Sequence, residues 1–398
     1  MRARGWMALA AGLGLAVLGW WSAGAASAPA DAPASGAAAA ASAPASAAVP
    51  LRAPYSAAGL KQRDRRLALA QDRLERAQET LASYRQATVY PPESRPLREH
   101  PDQLRPFAPI EQSLPLRRPG QDPAAGVRIV TTQEKVFASG QETVRLTVAA
   151  VDDKGQRLPL TITRAVAFDL PDPRQAAGRP QVAIDFNDAG LGADLLAGDG
   201  TYSGLLAPAL QGFADYAGTV RVQLELNQDG RMGLVSFDVV YQPLVPAEWG
   251  GIREAVVNGS LVFDLQAQVH QAGRYVVNAR VVDARGQALA LLSFNDEVGT
   301  GSQRFRLTLF GRLIRDAQPT FPLRLQDLEG FLLLPDQFPD RAMLPRRAGV
   351  VYSSQRYGLD RFSDAEWQSE ERSRYLTEYQ KDVDQASQDL AGLGGNGP

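Results

Sequence analysis

Short runs of alternating apolar and polar residues dominate the chain from Val127 onward. Val144, Leu146 and Val148 alternate with polar neighbours, and the run from Val220 to Leu226 does the same. A strand shows the same face at every second residue, so these runs predict half-buried β-strands. Gly and Asp separate them, and no helical period lies between. The pattern predicts a mainly β fold of tandem Ig-like β-sandwiches.

One ten-residue sequence, typical of a β-hairpin, occurs twice in similar form. The chain reads VDDKGQRLPL from Val151 and VDARGQALAL from Val282. Each copy ends an alternating run, turns on Asp-x-basic-Gly and resumes alternation, as a β-hairpin does. Two copies one domain length apart predict two modules of the same kind. We expect a first Ig-like domain over residues 124–245, a hinge-like linker around Pro243–Gly251, and a second domain over 252–350.

Helical patterns flank these modules. An amphipathic helix followed by a Pro-rich connector is expected over residues 59–123, and a C-terminal helix and flexible tail over 351–398. The first helix has apolar residues seven apart (Leu60, Leu67, Leu74 and Leu81), and Ala70, Ala77 and Tyr84 each follow one of these leucines by three residues. In the second, Leu376, Val383 and Leu390 are spaced likewise, after a capping-box sequence from Ser363 to Glu366.

The first seam has two interpretations, an oligomeric coiled coil or a helix that lies on its own chain. Arg63 in a seam position and the small alanines favour the second, so a monomer is expected. The connector holds nine prolines between Pro91 and Pro123, which predicts an extended segment wrapped over a surface.

The N-terminus has the layout of a bacterial export signal. Arg2 and Arg4 precede an apolar run from Trp6 to about Ala23, and small residues follow. We expect a signal peptide over residues 1–25 and an Ala/Pro low-complexity tether over 26–58. The alternative is an uncleaved inner-membrane anchor. Cleavage would give a periplasmic or secreted Gram-negative protein without a membrane span, since later apolar runs alternate or are short.

The composition limits the classes of partner and of chemistry that the sequence allows. The chain has no cysteine, which excludes disulfides and a lipid-bearing N-terminal Cys. Its 42 basic and 44 acidic residues nearly balance, so nucleic acid is not an expected partner. Only His100 and His270 offer an imidazole base, and no nucleophile elbow, zinc motif or phosphate loop occurs. No catalytic residue is therefore predicted.

An acidic, Gly-rich loop from Asp185 to Tyr202 is the candidate site. Oxygen ligands in a flexible loop suit Ca²⁺. The predicted metal ligands are Asn187, Asp188, Asp194 and Asp199. The loop is not an EF-hand, because Leu196 stands where that motif needs Glu. The competing interpretation is ordinary turn chemistry, since Asp and Asn stabilise turns.

The pattern of this loop, from Asn187-Asp188 to Gly198-Asp199-Gly200, resembles bacterial Ig-like modules of the choice-of-anchor X type. Gly273-Arg274-Tyr275 and Phe310-Gly311 are similar to the companion module. The whole layout also resembles an uncharacterised domain-of-unknown-function family of exported Gram-negative proteins. This resemblance implies a fold and a location but no activity.

These observations predict an exported, non-catalytic protein that binds an unknown protein or polysaccharide or serves as an envelope scaffold. The alternatives are a secreted effector and a carboxylate-based hydrolase acting on glycans.

Overall fold

The structure is a computed structural model that describes residues 57–118, 120, 122–170 and 178–394. The predicted signal peptide (1–25), nearly all of the predicted tether (26–56) and the end of the predicted tail (395–398) lie outside the described residues. Within the described part of the chain, no helix has both the length and the hydropathy needed to cross a bilayer.

The N-terminal region consists of a long helix and a segment with little regular structure. Helix α1 spans Ala57–Ala87 and strand β1 spans Ser94–Pro96. Two 3₁₀ turns follow at Leu97–Glu99 and Pro101–Gln103.

The first module, module 1, contains strands β2 to β12. In chain order these are β2 (Ile110–Pro115), β3 (Arg128–Gln133), β4 (Phe137–Ser139), β5 (Val144–Val151), β6 (Arg157–Leu158), β7 (Thr161–Asp169), β8 (Val182–Ala183), β9 (Phe186–Asn187), β10 (Tyr202–Leu206), β11 (Gly218–Gln228) and β12 (Arg231–Gln242). Among the described residues, one sheet has the order β2-β3-β5-β10-β9, with β6 paired to β5, and the other has the order β4-β12-β11-β7-β8.

The second module, module 2, contains the remaining elements. They are β13 (Ala247–Val257), β14 (Ser260–Val269), β15 (Gly273–Val282), β16 (Ala288–Val298), β17 (Gly301–Leu309), α2 (Gly311–Ala317), β18 (Arg324–Leu333), β19 (Arg341–Met343), β20 (Arg347–Ser353), a 3₁₀ turn (Leu359–Arg361) and α3 (Glu370–Gly394). In the described residues one sheet has the order β1-β16-β15-β18-β19, with β20 on β18, and the other is β13-β14-β17.

Each module is a sandwich with its own apolar core, which confirms the predicted mainly β fold class. Strand β11 shows the reason, because every second residue from Gly218 to Gln228 is buried and the others are partly exposed. The buried residues of β11 and β12 meet those of β5, such as Val144 and Leu146. Each sheet therefore has one buried face, as the alternation in the sequence predicts.

The repeated phrase forms the same turn in both modules. Asp152 N–H donates to the Gln156 carbonyl at 2.9 Å, and Asp283 N–H donates to that of Gln287 at 3.0 Å. Gly155 has φ +80° and Gly286 has φ +81°, a region that L side chains rarely adopt. The Gly of each phrase is therefore required by the turn itself.

The Pro-rich segment is not merely wrapped over a surface. Strand β1 pairs with β16 of module 2, and β2 pairs with β3 of module 1. Pro96 and Pro115 end these outermost strands, where a missing N–H costs no ladder hydrogen bond. The chain therefore joins both sandwiches through strands that precede either of them in sequence.

The expected linker between the modules is shorter than the sequence indicated. Strand β13 already begins at Ala247 and pairs with β14, so only Pro243–Pro246 connects the modules. Gly250 and Gly251 lie at a register shift between Trp249 and Ile252. They looked like linker glycines but belong to a bulge within a strand.

The modules also touch directly. The guanidinium of Arg341 in module 2 lies 5.0 Å from the ring centre of Phe137 in module 1 and 4.9 Å from that of Phe331. Nearby, Met343 N–H donates to Ser139 Oγ at 3.0 Å. A cation held between two aromatic faces contributes packing as well as electrostatic attraction.

Helix α1 packs antiparallel on α3. Tyr84 lies 5.7 Å from Tyr375 and 5.1 Å from Tyr379 between ring centres. Farther along, Arg73 Nη1 is 3.4 Å from Asp389 Oδ2. The two helices form a hairpin whose contacts run in opposite chain directions.

Helix α3 begins later than the capping-box sequence predicts. It starts at Glu370, and Arg372 N–H donates to Ser369 Oγ at 3.0 Å, so Ser369 is the N-cap. The earlier candidate, Ser363, donates its N–H to the Gly259 carbonyl, and Trp367 N–H donates to that of Val89. These tertiary hydrogen bonds hold the segment out of a helix.

Candidate functional site

The candidate site is the loop between β9 and β10, at one end of module 1. It contains Asp188, Asp194 and Asp199 of the four metal ligands predicted from the sequence. Asn187 ends β9, and the antiparallel pairing of β9 with β10 brings the two ends of the loop together. The loop is thus anchored on strands at both sides.

Asp188 closes the loop. Its Oδ1 accepts a hydrogen bond from Asp199 N–H at 3.1 Å, and its Oδ2 accepts one from Gly200 N–H at 3.0 Å. The Asp188 carbonyl accepts a third from Gly198 N–H at 3.1 Å. One residue therefore ties the start of the loop to its end, satisfying backbone donors that have no strand partner.

Asp194 holds the middle of the loop. It is only 6% exposed, and its Oδ2 accepts a hydrogen bond from Gly190 N–H at 2.6 Å. Its Oδ1 accepts one from Ser203 Oγ on β10 at 3.3 Å. A buried carboxylate needs such donors, because desolvation without them is costly.

Asn187 and Asp199 form local turns. Asn187 Oδ1 accepts a hydrogen bond from Ala189 N–H at 3.2 Å, and Asp199 Oδ1 accepts one from Thr201 N–H at 2.8 Å. Both bonds join a residue to the one two positions later, which is the Asx-turn pattern. Each predicted ligand thus has a role in the backbone geometry of the loop.

Three of the four predicted ligands are carboxylates, and Asn187 offers an amide oxygen. In the described part of the chain, no group of three His, Cys, Asp or Glu side chains is placed to hold a metal ion. Ca²⁺ prefers six to eight oxygen ligands. The hydrogen bonds correspond to the turn interpretation, and Ca²⁺ binding stays a prediction that a thermal melt can test.

Sequence reasoning missed the apolar residues of the same loop. Leu191, Leu195 and Leu196 are 67%, 78% and 63% exposed. Apolar residues that group on a surface mark interaction sites, and these three lie within six residues of one loop. The available signal was the presence of three leucines within an otherwise small and polar segment, where no strand or helix period explains them.

Among the described contacts, neither histidine is paired with a nucleophilic side chain. His100 lies between the two 3₁₀ turns, where its backbone N–H donates to the Leu97 carbonyl at 3.0 Å. His270 Nε2 is 3.7 Å from Glu248 Oε1, and both side chains are substantially exposed. An exposed pair of this kind contributes little energy.

The most strongly embedded acidic group belongs to a hairpin turn instead. Asp283 is 4% exposed, and its Oδ1 accepts hydrogen bonds from Arg285 and Gln287 N–H groups. Its Oδ2 accepts another from Thr320 N–H at 3.3 Å. Burial by itself raises the pKa of this carboxyl, but the backbone donors and the charge of Arg285 outweigh burial and lower its pKa below the usual value. The shift has a structural cause and does not indicate catalysis.

Comparison with known proteins gives distant likenesses. Neither a family model nor a curated protein matches the sequence. Among solved structures, a DUF4785 family protein from Legionella pneumophila is similar over 57% of this chain and 57% of its own, with 11% identity and a TM-score of 0.38. Dimeric latent PorU from Porphyromonas gingivalis is similar over 61% of this chain and 34% of its own, with 10% identity and a TM-score of 0.17. Likenesses this distant assign neither a family nor an activity.

Proposed function

We propose that this chain is an exported, non-catalytic protein that binds a protein partner through the β9–β10 loop of module 1. The exposed trio Leu191, Leu195 and Leu196 carries the proposal. Their burial in a partner would contribute roughly 1.5–3 kcal/mol for each leucine that becomes fully covered.

The internal hydrogen bonds of the loop support this function. Asp188 and Asp194 fix the backbone before any partner arrives. A loop that is already ordered loses less conformational entropy on binding. The exposed Asp185 and Asp199 on either side of the leucines favour a partner surface with basic groups beside an apolar pocket.

The scaffold behind the loop supports it too. The N-terminal segment pairs with strands of both modules, and Arg341 lies between aromatic rings of both. Such cross-links favour a fixed relation between the modules, which suits a scaffold or a presented binding surface. We also propose that the modules are Ig-like domains of the choice-of-anchor X type, and that the protein is periplasmic or secreted, or anchored in the inner membrane when the signal is uncleaved.

Site-specific photo-crosslinking in cells that produce the protein tests this function. A photoreactive residue replaces Leu195 in one variant and Leu210 in the control. Leu210 is 80% exposed on the loop after β10, at the other end of that strand. A defined adduct from position 195 only is expected. Purified partner should then bind the Leu210→Asp protein as it binds wild type, with at least a tenfold loss for Leu195→Asp.

Equal crosslinking from both positions, or from neither, would refute a role for this loop. Fractionation of the same cells tests the location, because the proposal requires the protein in the periplasm, the inner membrane or the medium. Turnover of envelope glycans by the purified chain would favour the hydrolase alternative over a binding function.

A further inference from the structure

The α1–α3 hairpin leaves one side of its seam open. Although the seam has the right heptad spacing, only Leu81 of α1 and Arg372 and Ala386 of α3 are buried among its described side chains. Leu67 and Leu74 remain partly exposed. Two paired helices cover only part of each other's apolar stripe, whereas a four-helix arrangement covers the stripe from two sides.

A groove follows this open side. It has a volume of about 590 Å³ and is lined from α1 by Arg66, Leu69, Ala70 and Arg73, and from α3 by residues that include Ala386 and Leu393. Leu69, on its wall, is 67% exposed. Its lining includes the small side chains Ala70 and Ala386, which allow a helix from outside to approach closely.

The charges at the rims of the groove are opposite. Arg66 and Arg73 lie on the α1 side, and Asp389 lies on the α3 side. The bias extends along each helix, because α1 has seven basic and four acidic residues whereas α3 has six acidic and three basic. Arg73 and Asp389 face each other at 3.4 Å with their side chains 69% and 41% exposed, so both charges can also reach a partner.

We infer that a second copy of this chain occupies the groove and completes a four-helix bundle. A two-fold axis parallel to the helices places the basic rim of each α1 against the acidic rim of the other copy's α3, and it does so twice. A surface that complements itself under a two-fold rotation is what an isologous dimer requires. Along α1 the groove runs from Arg66 to Arg73, a length of about 10 Å at 1.5 Å per residue.

This inference is independent of the proposed function, since it concerns the helical hairpin and not the β9–β10 loop. It also revises the expectation of a monomer. That expectation rested on the seam being buried within one chain, and the hairpin achieves this only in part.

Sedimentation of the full chain isolated from producing cells tests the dimer. The mass of wild type is expected to double as concentration rises. Ala70→Arg, which fills the groove with a charged side chain, should remain monomeric. Ala68→Arg is the matched control, because Ala68 is exposed outside the groove, and it should dimerise like wild type.

A charge-swap pair makes the test independent of damage to folding. The Arg66→Glu/Arg73→Glu protein should be monomeric. So should Asp382→Arg/Asp389→Arg, in which Asp382 is the exposed acidic residue of α3 that lies two helical turns before Asp389. An equimolar mixture of the two should form a heterodimer, because each then presents the charge that the other needs.

Wild type that stays monomeric at every concentration would overturn the inference. So would a mixture that remains monomeric, or dimers that survive Ala70→Arg unchanged. If Ala70→Arg lowers the melting temperature of a monomeric wild type, the occupant is another segment of the same chain and the second copy is excluded.

Discussion

Asp152 and Asp283 occupy the same position in the two modules and accept the same pair of backbone hydrogen bonds. Asp152 Oδ1 accepts from Lys154 and Gln156 N–H, both at 2.8 Å. Asp283 Oδ1 accepts from the N–H groups two and four residues later, at 2.8 and 2.9 Å. Only Asp283 is buried and reaches Thr320, so one turn motif serves two environments.

This difference predicts unequal effects of the same substitution. Asp283→Asn should lower the free energy of unfolding at pH 7 by about 1–3 kcal/mol, because Thr320 N–H loses its buried acceptor. Asp152→Asn keeps an oxygen at Oδ1 and should cost less than about 1 kcal/mol. Urea denaturation of both variants measures the difference, and equal losses would show that the Thr320 bond contributes nothing.

The lowered pKa of Asp283 predicts that its contribution to stability depends on pH. The pKa of Asp283 is lowered in the folded chain, so its stabilisation is complete above the usual Asp pKa of about 3.9 and is lost as pH falls below that value. The stability gap between wild type and Asp283→Asn should therefore be constant at neutral pH and shrink below about pH 4. A gap that stays constant down to pH 2.5 would contradict the assigned cause.

Arg280 on β15 is expected to make a large contribution to the stability of the fold. Its side chain is fully buried and its Nη2 lies 2.7 Å from Glu329 Oε1. It also donates to the Gln103 side chain, to the Gln103 carbonyl at 3.2 Å and to the Asp327 carbonyl at 2.9 Å.

Arg280→Met should lower the free energy of unfolding by about 3 kcal/mol, since it leaves the partly buried Glu329 carboxylate and the Gln103 and Asp327 carbonyls without their donor. Arg274→Met, at an exposed position of β15, should cost less than about 1 kcal/mol. Limited proteolysis should also show earlier cleavage near Gln103 in Arg280→Met. Comparable stability for both variants would mean that the N-terminal segment does not depend on this arginine.

Ser369 predicts a specific loss at the start of α3. Ser369→Ala removes the N-cap hydrogen bond to Arg372 N–H and should cost about 1 kcal/mol. Ser363→Ala removes only a turn hydrogen bond to Ala365 N–H at 3.1 Å and should cost less. Thermal melts followed by far-UV circular dichroism compare the two, and the reverse order would restore Ser363 as the cap.

The acidic loop predicts a contrast between two aspartates. Without added metal, Asp194→Ala should lower the free energy of unfolding by about 1–3 kcal/mol because it leaves Gly190 N–H and Ser203 Oγ without their acceptor. Asp199 is exposed, and Asp199→Ala should cost less than about 1 kcal/mol. The calcium hypothesis adds that millimolar Ca²⁺ raises the melting temperature of wild type and that either substitution abolishes the rise. Melting that is indifferent to Ca²⁺ and EDTA would leave only the turn interpretation.

The sequence alone determined the mainly β fold, the repeated turn and the helical seams. Each depends on a short-range rule: alternation along β11, Asp and Gly in the turns at Asp152 and Asp283, and heptad spacing in α1. Such rules act between neighbours in sequence, so they are visible before any contact is known.

Only the tertiary structure decided which of these surfaces is covered. Alternation along β15 places Arg280 on the face opposite Tyr275, which the sequence alone would leave to solvent. The structure buries it, because Gln103, far earlier in the chain, lies against that face and accepts its hydrogen bonds. The Pro-rich segment likewise contributes a strand to each module because it packs against sheets that are distant in sequence. The leucines of the β9–β10 loop stay exposed because no described segment packs over them. Burial at each of these places depends on which distant segment packs there, and local spacing does not contain that information.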